Sequence, residues 1–225
     1  MVEVSDDAHG VRQITLRDHR LHAGLVASLV RALQVPDEVR CILVTGGEEV
    51  FCSGATPELL AALRAGTMAP TELLLPRDLL DVPVPVVGAA RGHAVGGGLA
   101  LLATCDFTFL ARDRRYGATF VDLGFTPGMG STALLEHFVP PAVAWELLCT
   151  GRRMTGSELA RWWPHVVDGD EVLPRARELC WALADKPRDV VGLLKHTLAG
   201  RRRAAFEAAR TTESLLHRLT FGRTP

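Results

Sequence analysis

The sequence carries no block of charge of one sign. Its 25 basic and 26 acidic residues nearly cancel over 225 positions, which excludes the electrostatic footprint of a general nucleic-acid binder and leaves a neutral or small acidic partner open. Nor is there a C-x-x-C pair. The five cysteines, Cys41, Cys52, Cys105, Cys149 and Cys180, are odd in number, scattered and mostly set among apolar residues. That argues against a zinc or dithiol motif and predicts small buried hydrophobes in a reducing cytosol. The opening MVEVSDDAHG has neither a basic start nor an apolar signal core, and no uninterrupted apolar stretch reaches membrane-spanning length. A soluble, cytoplasmic protein without membrane contact is expected. The nucleotide signatures are missing as well: there is no G-x-x-x-x-G-K-[ST], and Gly92, Gly96, Gly97 and Gly98 do not have G-x-G-x-x-G spacing. No metal and no cofactor is implied.

What is present is an α/β pattern followed by a helical one, in a chain long enough for one domain with a full core. Gly10 to Leu16 alternates like a half-buried strand, and Cys41 to Thr45 is apolar throughout, like a strand buried on both faces. Between them Leu21 to Gln34 has helical apolar spacing and stops before Pro36. A helix over Pro57 to Ala65, a loop over Gly66 to Pro70 and a helix-like segment to Leu80 come next. Strands over Pro83 to Ala90 and Asp106 to Ala111 flank a helix that starts at the glycines of GGGLALLATC. After Gly130 the β signal fades. Helices are expected over Ser131 to Phe138, Ala142 to Thr150, Gly156 to Arg161, Leu173 to Ala184, Arg188 to Ala199 and Arg202 to Leu219, with GRRMTG and DKPRD as joints.

The stretch RGHAVGGGLA, Arg91 to Ala100, gives up side chains between a strand and a helix. Glycine there means that the backbone must approach something closely or adopt angles closed to other residues. Free N–H groups at a helix start can hold a phosphate or a developing oxyanion; tight helix-to-strand packing is the alternative reading.

Three segments decide between them. EVFCSGATPELL (Glu49 to Leu60), GAARGHAVGGGLALLATCDF (Gly88 to Phe107) and YGATFVDLGFTPGMGST (Tyr116 to Thr132) occur in an order and separation that resemble the crotonase family, the enoyl-CoA hydratase/isomerase superfamily. The resemblance covers nearly the whole chain. It implies a spiral of strand-strand-helix turns over residues 1–150 and a C-terminal α-helical region over 151–225 that builds homotrimers. It also implies two backbone donors for a thioester oxygen, the N–H groups of Ala55 and Gly97, with Gly96 beside them.

Hydratases of that family carry two glutamates that activate water. The matching positions here are Ala100 and Phe120, and neither can move a proton. The loss of both, together with YGATF, GFTPGMGST, GRRMTGSELA and ESLLHRLTF, resembles the decarboxylating crotonases of polyketide β-branching cassettes. This resemblance implies loss of CO2 from a 3-methylglutaconyl group on the phosphopantetheine arm of an acyl carrier protein, giving a 3-methylcrotonyl-type thioester. An enoyl thioester isomerase and a catalytically silent carrier-binding fold are the alternatives.

His217 stands where the subfamily has a C-terminal histidine. It can protonate a dienolate or orient the carboxylate, or it can simply end a helix on the surface. The subfamily's lysine has no counterpart, since between Ala55 and Arg91 the cations are Arg64 and Arg77. Arg64 is the nearer substitute, with an exposed helix arginine as the plain alternative. His93 either lines the pantetheine channel or packs beside a strand end. Asp122 either touches substrate or caps a helix. Thr126 and Gly128 to Gly130 shape the acyl pocket, and Arg201 to Arg203 form a solvated face or a docking charge.

Overall fold

The computed structural model describes residues 1–65, 67 and 75–221, with Phe221 described by its backbone alone. Its strands are β1 (Val2–Asp6), β2 (Val11–Leu16), β3 (Cys41–Thr45), β4 (Val50–Cys52), β5 (Val86–Ala90), β6 (His93–Val95), β7 (Phe107–Ala111), β8 (Arg115–Gly117), β9 (Arg153–Thr155) and β10 (His165–Val167). They form two sheets, ordered β1-β2-β3-β5-β7-β10 and β4-β6-β8-β9. From β2 to β10 the larger sheet is parallel, with Val11 opposite Cys41, Ile42 opposite Val86 and Val87 opposite Phe107.

Every residue of β3 and β5 is buried because both faces of this sheet are covered. On one face Ile42, Val44 and Val86 pack with Leu25 and Leu29 of α1 (Ala23–Ala32). On the other, Cys41, Leu43, Val87 and Ala89 meet Val172, Ala176 and Cys180 of α8 (Val172–Ala184). An unbroken apolar run is the sequence that such a two-sided position requires.

The chain climbs in turns. β3 in the large sheet leads to β4 in the small one and then to α2 (Pro57–Arg64); β5 leads to β6 and then to α4 (Gly97–Thr104); β7 leads to β8. This is the expected spiral of strand, strand and helix. Among the described residues, no helix is long and apolar enough to cross a membrane. Of the loop expected over Gly66 to Pro70 only Thr67 lies within the described residues, and the helix-like segment after it is described from α3 (Leu75–Asp81) onward.

Four expectations need correction. The chain past Gly130 is not wholly helical: β9, inside the expected joint GRRMTG, closes the small sheet against β8, and β10 adds an edge to the large one. Three-residue strands hold too little alternation to be seen in sequence. Second, Arg188 to Ala199 and Arg202 to Leu219 are one helix, α9 (Arg188–Phe221). Gly200 costs it only about 1 kcal/mol, and anchors on both sides outweigh that. Third, Arg201 to Arg203 are not a common face, because Arg202 is buried, Arg203 pairs with Asp81 and only Arg201 is exposed. Fourth, Cys149 lies exposed at the end of α6 (Pro141–Thr150), while the other four cysteines are buried.

The anchors of α9 are Lys195 and Arg202. Lys195 Nζ donates to the carbonyls of Leu79 (3.1 Å) and Val84 (2.8 Å) and pairs with Asp106 at 3.1 Å. Arg202 pairs with the other oxygen of Asp106 at 3.2 Å and donates to the carbonyls of Ala103, Thr104 and Cys105 at the end of α4. The guanidinium thus serves the carbonyls that a helix end leaves without partners. Asp106 also accepts from the amide of Val86 at 2.8 Å. Removing one member of a buried ionic cluster leaves uncompensated charge. Asp106→Asn should therefore lower unfolding stability by about 3–5 kcal/mol, read from the urea midpoint at unchanged slope.

Candidate active site

The site begins where β4 runs out. Gly54 has φ +84°, a conformation that other residues seldom adopt. After it, the amide of Leu21 donates to the carbonyl of Gly54 (2.7 Å) and the amide of Thr56 to the carbonyl of Leu21 (2.9 Å). Ala55, bridged in parallel to Leu21, therefore turns its own N–H to the opposite side. Thr56 caps α2, its hydroxyl accepting from the amide of Leu59 at 3.2 Å, with Pro57 at the first helical position. This cap fixes the helix start two residues beyond Ala55.

The second donor is built the same way. Gly96 has φ +54° and ψ −122°, and it is held by a hydrogen bond from its amide N–H to the carbonyl of Gly117 at 2.8 Å. The next amide, that of Gly97, opens α4. Among the described residues neither Ala55 nor Gly97 gives its N–H to a backbone carbonyl. Gly54 and Gly97 approach so closely that a Cβ on Gly54 would lie 3.7 Å from the Gly97 nitrogen.

The three glycines have separate tasks. Gly96 supplies the backbone angle. Gly97 keeps the pocket open, because a Cβ there would meet Leu21 Cδ1 at 2.7 Å and Met129 Sδ at 3.2 Å. Gly98 lets α4 lie on β4, since a Cβ there would stand 2.2 Å from the carbonyl oxygen of Cys52. Tight packing is thus seen at Gly98, next to a Gly97 N–H that no backbone carbonyl takes up among the described residues.

Two unpaired amides at a helix start and a loop stabilise charge that develops between them. The pocket they face is apolar. Leu59, Leu60 and Leu63 of α2 form one wall; Phe120, Leu123 and Phe125 form another; Met129 lies over Gly97. Met129 has φ +60°, an uncommon angle for a residue with a side chain, stored at the site by its surroundings.

α9 brings His217 to this pocket, 91 residues along the chain from Thr126. His217 Nε2 lies 2.8 Å from the carbonyl oxygen of Thr126, so Nε2 carries the proton and donates. The ring packs on Gly128, where a Cβ would come within 2.9 Å of it. Burial pulls the imidazole pKa below its ordinary 6.5, against smaller upward pulls from the Thr126 carbonyl and from Glu213. One turn earlier on α9, Glu213 is buried and accepts from the amide of Gly130 (2.8 Å), the amide of Thr132 (3.0 Å) and the hydroxyl of Thr132 (2.7 Å). It ties α9 to α5 (Ser131–Leu134) and so places His217.

The structure thus brings Ala55, Gly96, Gly97, Phe120, Thr126 and His217 to one pocket. The other sequence candidates lie elsewhere. Arg64 lies outside the pocket lining: it donates to the carbonyl of Leu123 at 3.2 Å and sits 4.8 Å above the ring of Phe125. His93 joins β6 to β8, its Nδ1 accepting from the amide of Arg115 at 2.8 Å. Asp122 is exposed in a 3-10 turn, Val121–Leu123, and points at the backbone of Gly151. Ala100 is buried inside α4.

Sequence reasoning missed the leucines of α2, Phe125 and Glu213. A charged residue one turn before His217 on α9 was the available signal for Glu213.

Two outcomes test this geometry. Gly98→Ala should cost at least about 2 kcal/mol of stability, because backbone and not a side-chain tip blocks the methyl group; thermal unfolding reads it. For His217 the folded pKa is depressed, so between that value and 6.5 the unfolded chain binds more protons and stability falls as pH falls. His217→Gln should flatten this acid-side slope in urea titrations across the window, while stability above pH 7 keeps its pH dependence.

The sequence model of the enoyl-CoA hydratase/isomerase family matches residues 6–224. The chain is 31% identical over 231 residues to the bacillaene synthase decarboxylase PksI of Bacillus subtilis, covering 98% of this chain and 92% of that one. Among solved structures it matches a member of a dehydratase/decarboxylase enzyme couple involved in polyketide β-branching, with TM-score 0.94, 30% identity and coverage of 99% and 94%. It also matches the ECH2 decarboxylase domain of CurF from Lyngbya majuscula, with TM-score 0.91, 30% identity and coverage of 99% and 95%. With its spiral of paired strands and its two outward amides, the chain belongs to the enoyl-CoA hydratase/isomerase, or crotonase, family.

Proposed function

We propose that this protein decarboxylates a 3-methylglutaconyl-type thioester carried by an acyl carrier protein, yielding a 3-methylcrotonyl-type thioester during polyketide β-branching. The observation that carries the reading is a pair of free backbone donors, Ala55 and Gly97, at an apolar pocket whose described lining has no carboxylate. A hydratase needs an acid and a base to handle water. Loss of CO2 from a vinylogous acid needs a place for negative charge and one proton.

The steps follow from the geometry. As the bond to the carboxylate carbon breaks, its electron pair enters the conjugated chain and charge collects on the thioester oxygen between the two amides. CO2 leaves neutral. His217 then supplies the proton to carbon, or fixes the chain while water does so. Its depressed pKa makes its imidazolium a stronger acid but a scarcer one at neutral pH.

The carrier-protein partner and a cytoplasmic location belong to this proposal. So does assembly as a homotrimer through the region 151–225, which is supported by large apolar side chains left exposed on α9: Leu193 at 70% and Leu198 at 74%.

Incubation with 3-methylglutaconyl carrier protein, followed by intact mass, should show loss of one CO2. Deuterium uptake without mass loss would instead identify an isomerase, and binding without turnover a silent fold. Ala55→Pro deletes one donor N–H while keeping the side chain small, and should slow CO2 release by about 100- to 1,000-fold.

A further inference from the structure

The reaction above leaves one question about charge. In the proposed reaction a substrate carboxylate enters the pocket ionised, and the α2 side chains described in its lining carry no charge. Among the described residues the lining holds no lysine or arginine, and the side chains of α2 that face the pocket are Leu59, Leu60 and Leu63. Leu59 and Leu63 are 5% and 8% exposed. The stretch after α2, residues 66–74, contains no lysine or arginine in its sequence. The nearest cation on this helix, Arg64, is taken by the carbonyl of Leu123 and the face of Phe125, on the outer side of the wall. His217 is engaged through Nε2–H with a carbonyl, and burial favours its neutral form.

We propose that this pocket holds the departing carboxylate against the leucine wall of α2 without a cationic partner, so that its desolvation, and not an ion pair, promotes loss of CO2. An ion pair would stabilise the charge where it starts. An apolar wall withholds that stabilisation, while the two amides wait where the charge ends. The bond between the chain and the carboxylate carbon breaks, the electron pair moves to the thioester oxygen, CO2 departs uncharged, and one proton from water restores the balance. Binding is then expected to come from the rest of the acyl-pantetheine chain, as differential stabilisation of the transition state requires.

This inference rests on the proposed decarboxylation, and its test separates the two. Wild-type protein is titrated at pH 7.5 with two unreactive pantetheine thioesters that differ only by one carboxylate, isovaleryl and 3-methylglutaryl. The neutral compound should bind at least about tenfold tighter, because the carboxylate is desolvated without compensation. Leu63→Lys should reverse that order, lower KM for the 3-methylglutaconyl thioester and lower kcat for CO2 release. Equal or tighter wild-type binding of the carboxylate compound overturns the inference, as does a higher kcat in Leu63→Lys. If Leu63→Lys does not fold, the wild-type binding order decides alone. Should wild type release no CO2 at all, the decarboxylase reading falls and takes the inference with it; CO2 release with the opposite binding order sinks the inference only.

Discussion

The contact between α4 and β4 is the constraint from which the site follows. Gly98 lies against the carbonyl of Cys52 where no side chain could fit, so the start of the helix is held against the end of the strand. That approach brings the amide of Gly97 beside the loop that presents the amide of Ala55. A donor pair made of backbone cannot be adjusted by rotamers. Its precision comes from packing, and here the packing is strand against helix with nothing between.

A second constraint acts from the far end of the chain. α9 is 34 residues long, about 50 Å at 1.5 Å per residue, and reaches from the first sheet to the pocket. Lys195 and Arg202 fix its middle to Asp106 and to the end of α4, while Glu213 fixes its last turns to Gly130 and the start of α5. One helix, α4, thus offers a donor at its N-terminus and an anchor for α9 at its C-terminus. His217 and Gly97 are positioned by opposite ends of the same eight residues.

The pocket divides its labour by polarity. In the proposed reaction charge is received by two amides, while most of the other side chains lining the pocket are leucine, phenylalanine and methionine. In surroundings of low polarity a fixed dipole acts more strongly than in water, so a small number of donors suffices. Glutamates at positions 100 and 120 would bring in water and a second set of proton transfers. Phe120 lines the pocket and Ala100 is buried inside α4, and neither supplies a carboxylate.

Much of this was legible before the fold. Apolar β3 and β5, the amphipathic α1 and the glycine start of α4 follow from local pattern, because burial on two faces, burial on one, and a backbone angle closed to other residues each leave a local signature. Two of the three motifs pointed to Ala55 and Gly97 and the C-terminal ESLLHRLTF to His217, and all three residues line one pocket. The strands β4, β6, β8 and β9 were not legible, since three residues pair only by tertiary context. The same holds for function along α2: Arg64 and Leu63 are neighbours in sequence, yet a helix turns them to different sides, and contacts with Leu123 and Phe125 leave the leucine inside and the arginine outside. The sequence by itself determined where the glycines fall at the start of α4 and that Ala100 and Phe120 stand where the resemblance places glutamates. Only the tertiary structure decided which side chains face the substrate, because that depends on the rotation of each helix against its neighbours, and no local pattern records it.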